Sequence, residues 1–350
     1  MTAAFSAADS TAENPPIPDL PDDATRVIGE AEARQVAEEV ANLFRPIAAS
    51  AYGATIEFDP DDWDGTIGRA RSSVHAGRIW RITPAGTIFN PYLTRDVMRL
   101  LVCHELGHFF GGFPFKPENT PGATVADAGT FLASEGSADY FATKECAWRV
   151  WAGDPNNPAF RAVVPRAGRE KCDNAWHDQA RRDVCYRTLV TALDVLRWIA
   201  YPMDSDIHGP RIETPSTEVA LVTKTAHPDG QCRLDTMVAG AVCDKPNDLS
   251  KIPGLVPSPV TGQYGDHSVA AEQDAAPYAC HDGPGARPLC WFKANMPGYV
   301  PAACTLPEGG VCAEDGSGYW VCDPIQDRVF TPCSLGCYYD SESQIADCVT

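Results

Sequence analysis

His104-Glu105-Leu106-Gly107-His108 is the stretch of sequence that most constrains the fold and the chemistry of this chain. In a helix, residues four apart lie on the same face, so the two imidazoles can bind one metal ion. Glu105 lies beside them and can take a proton from a water at the metal. The pattern therefore predicts a zinc site. The alternative is a pair of core histidines with an incidental glutamate.

The residues around this motif predict the helix that it needs. Thr94 is a suitable N-cap, and Asp96 suits the first turn of a helix. Gly111-Gly112 is a natural end. Between these limits one stripe recurs at helical spacing, formed by Val97, Leu101, His104 and His108.

A zinc site that performs hydrolysis has three protein ligands and an open fourth position. Pro114 occupies the position at which one class of such sites carries a third His, which excludes that class. A carboxylate from a second helix is the remaining choice, and Glu135 in the segment 134–142, SEGSADYFA, supplies it. Asp139 shares the face of Glu135 and can accept a hydrogen bond from a ligand imidazole. The small Ala138 would let the two helices approach closely. An acidic surface patch at a helix start is the alternative.

These two motifs together resemble the gluzincin metallopeptidases, and the Glu-x-x-Ala-Asp form is similar to the branch that holds the CAAX-protease and HtpX-like peptidases. His227-Pro228-Asp229-Gly230-Gln231-Cys232-Arg233 adds the His-Pro-x-x-x-x-Arg spacing found in that branch. The resemblance implies that His227 hydrogen-bonds the oxyanion of a tetrahedral intermediate and that Arg233 pairs with a carboxylate near the site. The motifs cover only parts of residues 95–235. A turn His before Pro is the alternative for His227.

The resemblance also implies peptide hydrolysis, with a protein or peptide as substrate. His104, His108 and Glu135 would bind one Zn²⁺, while Glu105 removes a proton from water and returns it to the leaving amine. In gluzincins an edge strand pairs with the substrate backbone. An extended peptide would then add to a hairpin that we expect at residues 78–82 and 87–89, although a purely structural hairpin is the alternative.

Composition excludes several other classes of function. The chain has 350 residues and a net charge of −19, which argues against nucleic acid or an anionic membrane surface as a partner. No apolar run is long enough to span a bilayer. There is no Gly-rich phosphate loop and no Gly-x-Ser-x-Gly nucleophile motif.

The 14 cysteines predict disulfide bonds and an oxidising compartment. Zinc-binding cysteine knuckles are the competing interpretation, but no paired Cys-x-x-Cys sets occur. The N-terminus has no secretory signal, so we expect the mature form of a secreted, periplasmic or cell-surface protein, or else an unusual export route. Cys232 and Cys243 are close enough in sequence to suggest a bridge. Eight cysteines from Cys280 to Cys348 predict a stapled region, that is, a region held together by disulfide bonds. Hairpins are expected in it near residues 310–322 and 331–337.

The expected architecture is α+β: a mainly helical, zincin-like catalytic domain with a small antiparallel sheet, followed by a disulfide-rich region. The expected divisions are a flexible leader (1–25), a zinc metallopeptidase domain (26–245) and a Cys-rich C-terminal region (246–350). The individual elements expected are helices at 28–45 (ended by Pro46), 178–201, 216–226 and through Met237, and a strand at 55–58.

Two other classes of function remain open from the sequence. One is a secreted binding protein whose zinc site is purely structural and closed by a fourth protein ligand. The other is a cell-surface adhesion or carbohydrate-binding protein whose recognition module is the Cys-rich end.

Overall fold

The computed structural model describes residues 20–59, 63, 71–75, 78–84, 89–116, 131–200, 209–257, 264 and 267–294, together with the backbone of five strands between 311 and 348. The expected α+β class is confirmed, with helices dominant. The helices are α1 (Asp22–Thr25), α2 (Glu30–Tyr52), α3 (Arg95–Phe110), α4 (Glu135–Phe141), α5 (Ala147–Trp151), α6 (Arg166–Ala175), α7 (Gln179–Ala200), α8 (Gly230–Val242) and α9 (Val269–Ala275). A π-helical segment, Ala142–Cys146, joins α4 to α5.

A three-stranded sheet packs beside α2 and α3. Its strands are β1 (Thr55–Phe58), β2 (Arg71–His75) and β3 (Ile79–Thr83), in the order β1-β3-β2. β1 runs parallel to β3 and β2 antiparallel to it, so the sheet is mixed and not wholly antiparallel as expected. The antiparallel partner of β3 is β2, which precedes it in the chain, whereas the expected partner was a strand at 87–89 that follows it. The expected second strand at 87–89 is not formed at Phe89, and residues 85–88 lie outside the described part.

Helix α2 continues through Pro46 to Tyr52, so the expected end at Pro46 is wrong. Pro46 removes one backbone hydrogen bond, but the residues beyond it are held by tertiary contacts. The Tyr52 ring packs at 5.2 Å from that of Trp80, and its hydroxyl donates to the carbonyl of Leu249 at 2.9 Å. Gly53 ends the helix in the left-handed conformation, with φ 60°.

The segment 216–226 is not helical and has bends at 221–222 and 226, so the helix expected there is wrong. Its backbone is tied to a neighbouring segment, with Ala220 N donating to Leu289 O at 2.8 Å and Lys224 N donating to Trp291 O at 2.7 Å. The segment is also rich in β-branched residues, which favour extended backbone. These contacts carry the chain to His227 and the start of α8.

Four disulfides are formed among the described cysteines: Cys103–Cys146, Cys172–Cys185, Cys232–Cys290 and Cys243–Cys280. The expected Cys232–Cys243 bridge is wrong. The two cysteines lie eleven positions apart along α8 and its cap residue, which at a rise of about 1.5 Å per residue is roughly 16 Å, far beyond the reach of a disulfide. Each instead bonds to the segment that follows α9.

Residues beyond 245 contribute to the same core as the helices. Leu249, Ile252, Trp291 and Phe292 are buried in the main apolar cluster. The boundary expected at 245 stays a prediction, as do the flexible leader and the stapled C-terminal region. The expected hairpin near 310–322 is formed by β4 (Val311–Cys312) and β5 (Gly318–Asp323). The one expected at 331–337 is wrong, because the strands pair differently: β6 (Asp327–Pro332) with β5, and β7 (Cys337–Asp340) with β8 (Ile345–Cys348).

Candidate metal centre

Helix α3 carries the two histidines of the central motif into the core. Thr94 caps it, because its hydroxyl accepts a hydrogen bond from Val97 N at 3.2 Å. The helix ends at Phe110, with Gly111 as its cap residue. His104 and His108 are only 7% and 2% exposed. Buried imidazoles need polar partners, and the neighbouring helix provides them.

Helix α4 lies against α3 with unusually little separation. A Cβ placed on Gly107 would come within 2.7 Å of both Cα and the carbonyl oxygen of Ala138. This contact requires the missing side chain at Gly107 and the small one at Ala138. Ser134 caps α4 through its hydroxyl, so Glu135 is the first residue of the helix and Asp139 lies one turn further along. Both carboxylates therefore face α3.

Three side chains meet at this contact to form a group able to hold a metal ion. The group is His104, His108 and Glu135, whose ligand atoms all lie within 4.8 Å of one another and which are all buried. Glu135 Oε2 is 3.1 Å from His104 Nε2 and 3.5 Å from His108 Nε2. The other ring nitrogens are directed away, with Nδ1 of His104 at 2.8 Å from Asp139 Oδ1 and Nδ1 of His108 at 2.8 Å from the Ala133 carbonyl oxygen.

This donor set fits a metal cation. When each Nδ1–H donates to an acceptor, each Nε2 presents a lone pair, as a metal ligand does. Two nitrogens and a carboxylate oxygen then converge on one buried point. A cation there would neutralise the carboxylate and accept the lone pairs of the nitrogens. Two histidines and one glutamate are a set that binds zinc in proteins. The three residues expected from the sequence as ligands are therefore brought together.

Asp139 and Arg233 form a buried ion pair behind His104. Asp139 is fully buried and accepts from Arg233 through Nε at 2.8 Å and through a terminal nitrogen at 2.8 Å. Burial opposes its ionisation, but Arg233 and then His104 hold the pKa of Asp139 well below its usual range. The same residue thus orients the imidazole and remains ionised.

The carboxylates around His104 favour a cation at this position. Burial alone would lower the pKa of the His104 imidazole, but Asp139 and then Glu135 raise it to about 10. Burial likewise opposes ionisation of Glu135, while hydrogen bonds from the surrounding imidazoles hold the pKa of that carboxyl far below its usual range. A site that stabilises a proton in this way also stabilises a metal cation, since both neutralise the same negative potential.

His227 also reaches the centre, from the non-helical segment before α8. Its Nε2 lies 3.0 Å from Glu135 Oε2, and its side chain is 46% exposed. Two residues earlier, the Thr225 carbonyl accepts from Glu135 N at 3.1 Å, which fixes this segment to the start of α4. His227 is therefore placed at the edge of the centre, accessible from outside.

Three further side chains lie around the candidate metal centre: Glu105, Ser72 and Lys116. The sequence did not single out the last two. Glu105 is 7% exposed. The hydroxyl of Ser72, on β2, lies 2.7 Å from Glu105 Oε2. Lys116 Nζ lies 2.8 Å from Glu135 Oε1. Neither Ser72 nor Lys116 has a fixed spacing from the motifs, so only the fold identifies them.

The Cys103–Cys146 disulfide joins α3 to the π-helical segment that follows α4. Cys103 precedes His104 in α3, and Cys146 ends the π-helical segment that follows α4. Both are buried, at 1% and 0% exposure. The bond gives both cysteines a structural role beside the candidate metal site.

Comparison of the chain with models of protein families, with curated proteins and with solved structures gave no match. In the described part of the chain, no helix is both long enough and apolar enough to cross a membrane.

Proposed function

We propose that this chain is an exported zinc-dependent peptidase of the gluzincin type, related to the HtpX and CAAX-protease branch. The observation that supports the proposal most strongly is the convergence of His104, His108 and Glu135 on one buried point, with Glu105 next to it in the chain. Four disulfides favour an oxidising compartment, as expected for an exported protein.

Zinc at His104, His108 and Glu135 would lower the pKa of a water in its open position and polarise the scissile carbonyl. The residues of the chain perform the remaining steps. Glu105 takes the proton from the attacking water and passes it to the leaving amine as the C–N bond breaks. Asp139 holds the His104 ring in the tautomer that directs Nε2 to the centre.

The substrate is proposed to be an extended peptide. β2 is at the edge of its sheet in the described structure, and edge strands offer unpaired backbone groups to which a peptide can add. Ser72 on this strand touches Glu105, so a peptide on β2 would lie close to the general base. His227, exposed at the margin of the centre, would donate to the oxyanion that forms on attack.

Replacement of Glu105 by Gln tests the catalytic role. Glu105→Gln keeps the ligands and removes the base, so peptide hydrolysis falls by about two to four orders of magnitude while zinc binding is retained. Glu57→Gln, on β1 with a half-exposed side chain, is the matched control and leaves the rate unchanged. Hydrolysis of a peptide mixture by Glu105→Gln at the rate of the parent would refute the proposed function.

A second candidate is a secreted binding or adhesion protein in which the zinc is structural and closed by four protein ligands. The short distance between His227 Nε2 and Glu135 Oε2 favours it, because His227 could act as the fourth ligand. His227→Ala separates the two candidates. In a peptidase it lowers the hydrolysis rate by about 10²–10³ and leaves zinc affinity nearly unchanged. In a closed structural site it lowers zinc affinity instead.

A further inference from the structure

Ser72 makes a contact with the proposed general base that neither the motifs nor the resemblance indicates. It lies on β2, paired with Ile82 of β3, and is 9% exposed. Its Oγ is 2.7 Å from Glu105 Oε2 and 2.9 Å from the Glu105 carbonyl oxygen. One hydroxyl thus touches the side chain and the backbone of the same residue.

The alternation of β2 explains why this serine and not its neighbour reaches α3. Ser72 and Val74 are both buried and share one face of the strand, since side chains two apart point the same way. Ser73 points to the other face, where its Oγ lies 2.9 Å from His75 Nε2 at an exposed position. The two adjacent serines therefore offer the same chemistry on opposite sides of the strand.

The contact with Ser72 restricts the conformations that Glu105 can adopt. A glutamate side chain has three rotatable bonds, and it loses rotamer freedom when its carboxylate is held at one end. A hydrogen bond from the hydroxyl to Oε2 fixes the carboxylate relative to β2. A general base is effective only within hydrogen-bond reach of the proton that it removes, and a displacement of about 1 Å can cost about 100-fold in rate.

We propose that Ser72 is a positioning residue for Glu105, whose hydroxyl holds the carboxylate of the base in its working orientation. The inference rests on the proposed peptidase function. In this proposal β2 has two functions. Its edge sets the path of the peptide, and its residue Ser72 sets the orientation of the base.

Three serine variants test this role by steady-state hydrolysis of a fluorogenic peptide mixture, with zinc affinity measured in parallel. Ser72→Ala lowers kcat about 10- to 100-fold, with KM changed less than about threefold and zinc affinity unchanged. Ser72→Thr keeps the hydroxyl and restores kcat to within about threefold of the parent. Ser50→Ala, at an exposed position near the end of α2 and away from the proposed binding strand, is the control and leaves both constants unchanged.

A double-mutant cycle with Glu105→Asp separates positioning from a general structural effect. The shorter aspartate does not reach the Ser72 hydroxyl, so Ser72→Ala then causes little further loss in kcat. Equal losses from Ser72→Ala in both backgrounds would overturn the inference, as would a Ser72→Ala variant with the kcat of the parent. Absence of hydrolysis by the parent with zinc bound would refute the peptidase function itself and the inference with it.

Discussion

Replacement of Asp139 by Asn removes one charge from the buried network behind the candidate metal centre. The side chain is fully buried and accepts three hydrogen bonds at 2.8 Å: two from Arg233 and one from Nδ1 of His104. Asn has nearly the same volume, but its amide nitrogen is a donor where an acceptor is needed. The guanidinium of Arg233 remains buried without its counter-charge.

Two separate losses follow from this change. Loss of one partner of a buried ion pair costs about 3–5 kcal/mol, which lowers the stability of the metal-free protein. Loss of the partner of a ligand imidazole weakens metal binding about 10- to 100-fold. At zinc about 1,000 times the parental Kd, binding stabilises the parent by about 4.1 kcal/mol. A 100-fold weaker site is stabilised by about 1.4 kcal/mol, so zinc contributes about 2.7 kcal/mol less to the variant.

Urea denaturation of the oxidised protein, with and without zinc, measures both losses, and competition with a chelator gives the affinity directly. Asp229→Asn is the matched control, because this N-cap carboxylate accepts from Cys232 N at 3.0 Å and Asn caps a helix about equally well. A variant Asp139→Asn with the stability and the zinc affinity of the parent would show that the network does not support the centre.

Three further expectations concern the framework of the centre. Gly107→Ala forces a Cβ against the backbone of Ala138 and so pushes α3 and α4 apart. We expect the free energy of unfolding to fall by about 1–3 kcal/mol or more and zinc affinity to fall with it. Thermal unfolding and zinc titration measure the two effects. Removal of the Cys103–Cys146 disulfide, which closes a separation of 43 residues, costs about 4 kcal/mol in urea denaturation, and an unchanged midpoint would contradict this. Burial, more than neighbouring charge, lowers the pKa of Lys144 to about 8 from an ordinary 10.5. The unfolded chain therefore binds more protons between these values, and stability rises across that pH window by up to about 3 kcal/mol, a rise that Lys144→Met reduces in pH-dependent denaturation.

The group of residues that could hold a metal ion was largely predictable, because the information that specifies it is local. His104 and His108 share a helical face by spacing alone, and so do Glu135 and Asp139. The meeting of the two helices was inferred from the chemistry, since a zinc ion with two histidine ligands needs a third protein ligand. His227 was placed by resemblance alone, because its distance in sequence from Glu135 carries no geometric signal.

The remaining features depend on tertiary contacts that no local pattern encodes. Helix α2 passes Pro46 because Tyr52 is held by the core beyond it. The segment 216–226 is not helical, because its backbone hydrogen-bonds to residues 289 and 291. The contact of Ser72 with Glu105 depends on a strand, β2, that the sequence pattern did not reveal. Propensity is a weak guide where such contacts decide the backbone.

Zinc titration of metal-free protein during hydrolysis of an unstructured peptide mixture tests the central claim most directly. If His104, His108 and Glu135 bind one catalytic zinc, hydrolysis rises in proportion to zinc occupancy and reaches its plateau at about one equivalent. Zinc bound at one equivalent without any hydrolysis, or hydrolysis that is independent of zinc, would contradict the assignment of this chain as a zinc-dependent peptidase.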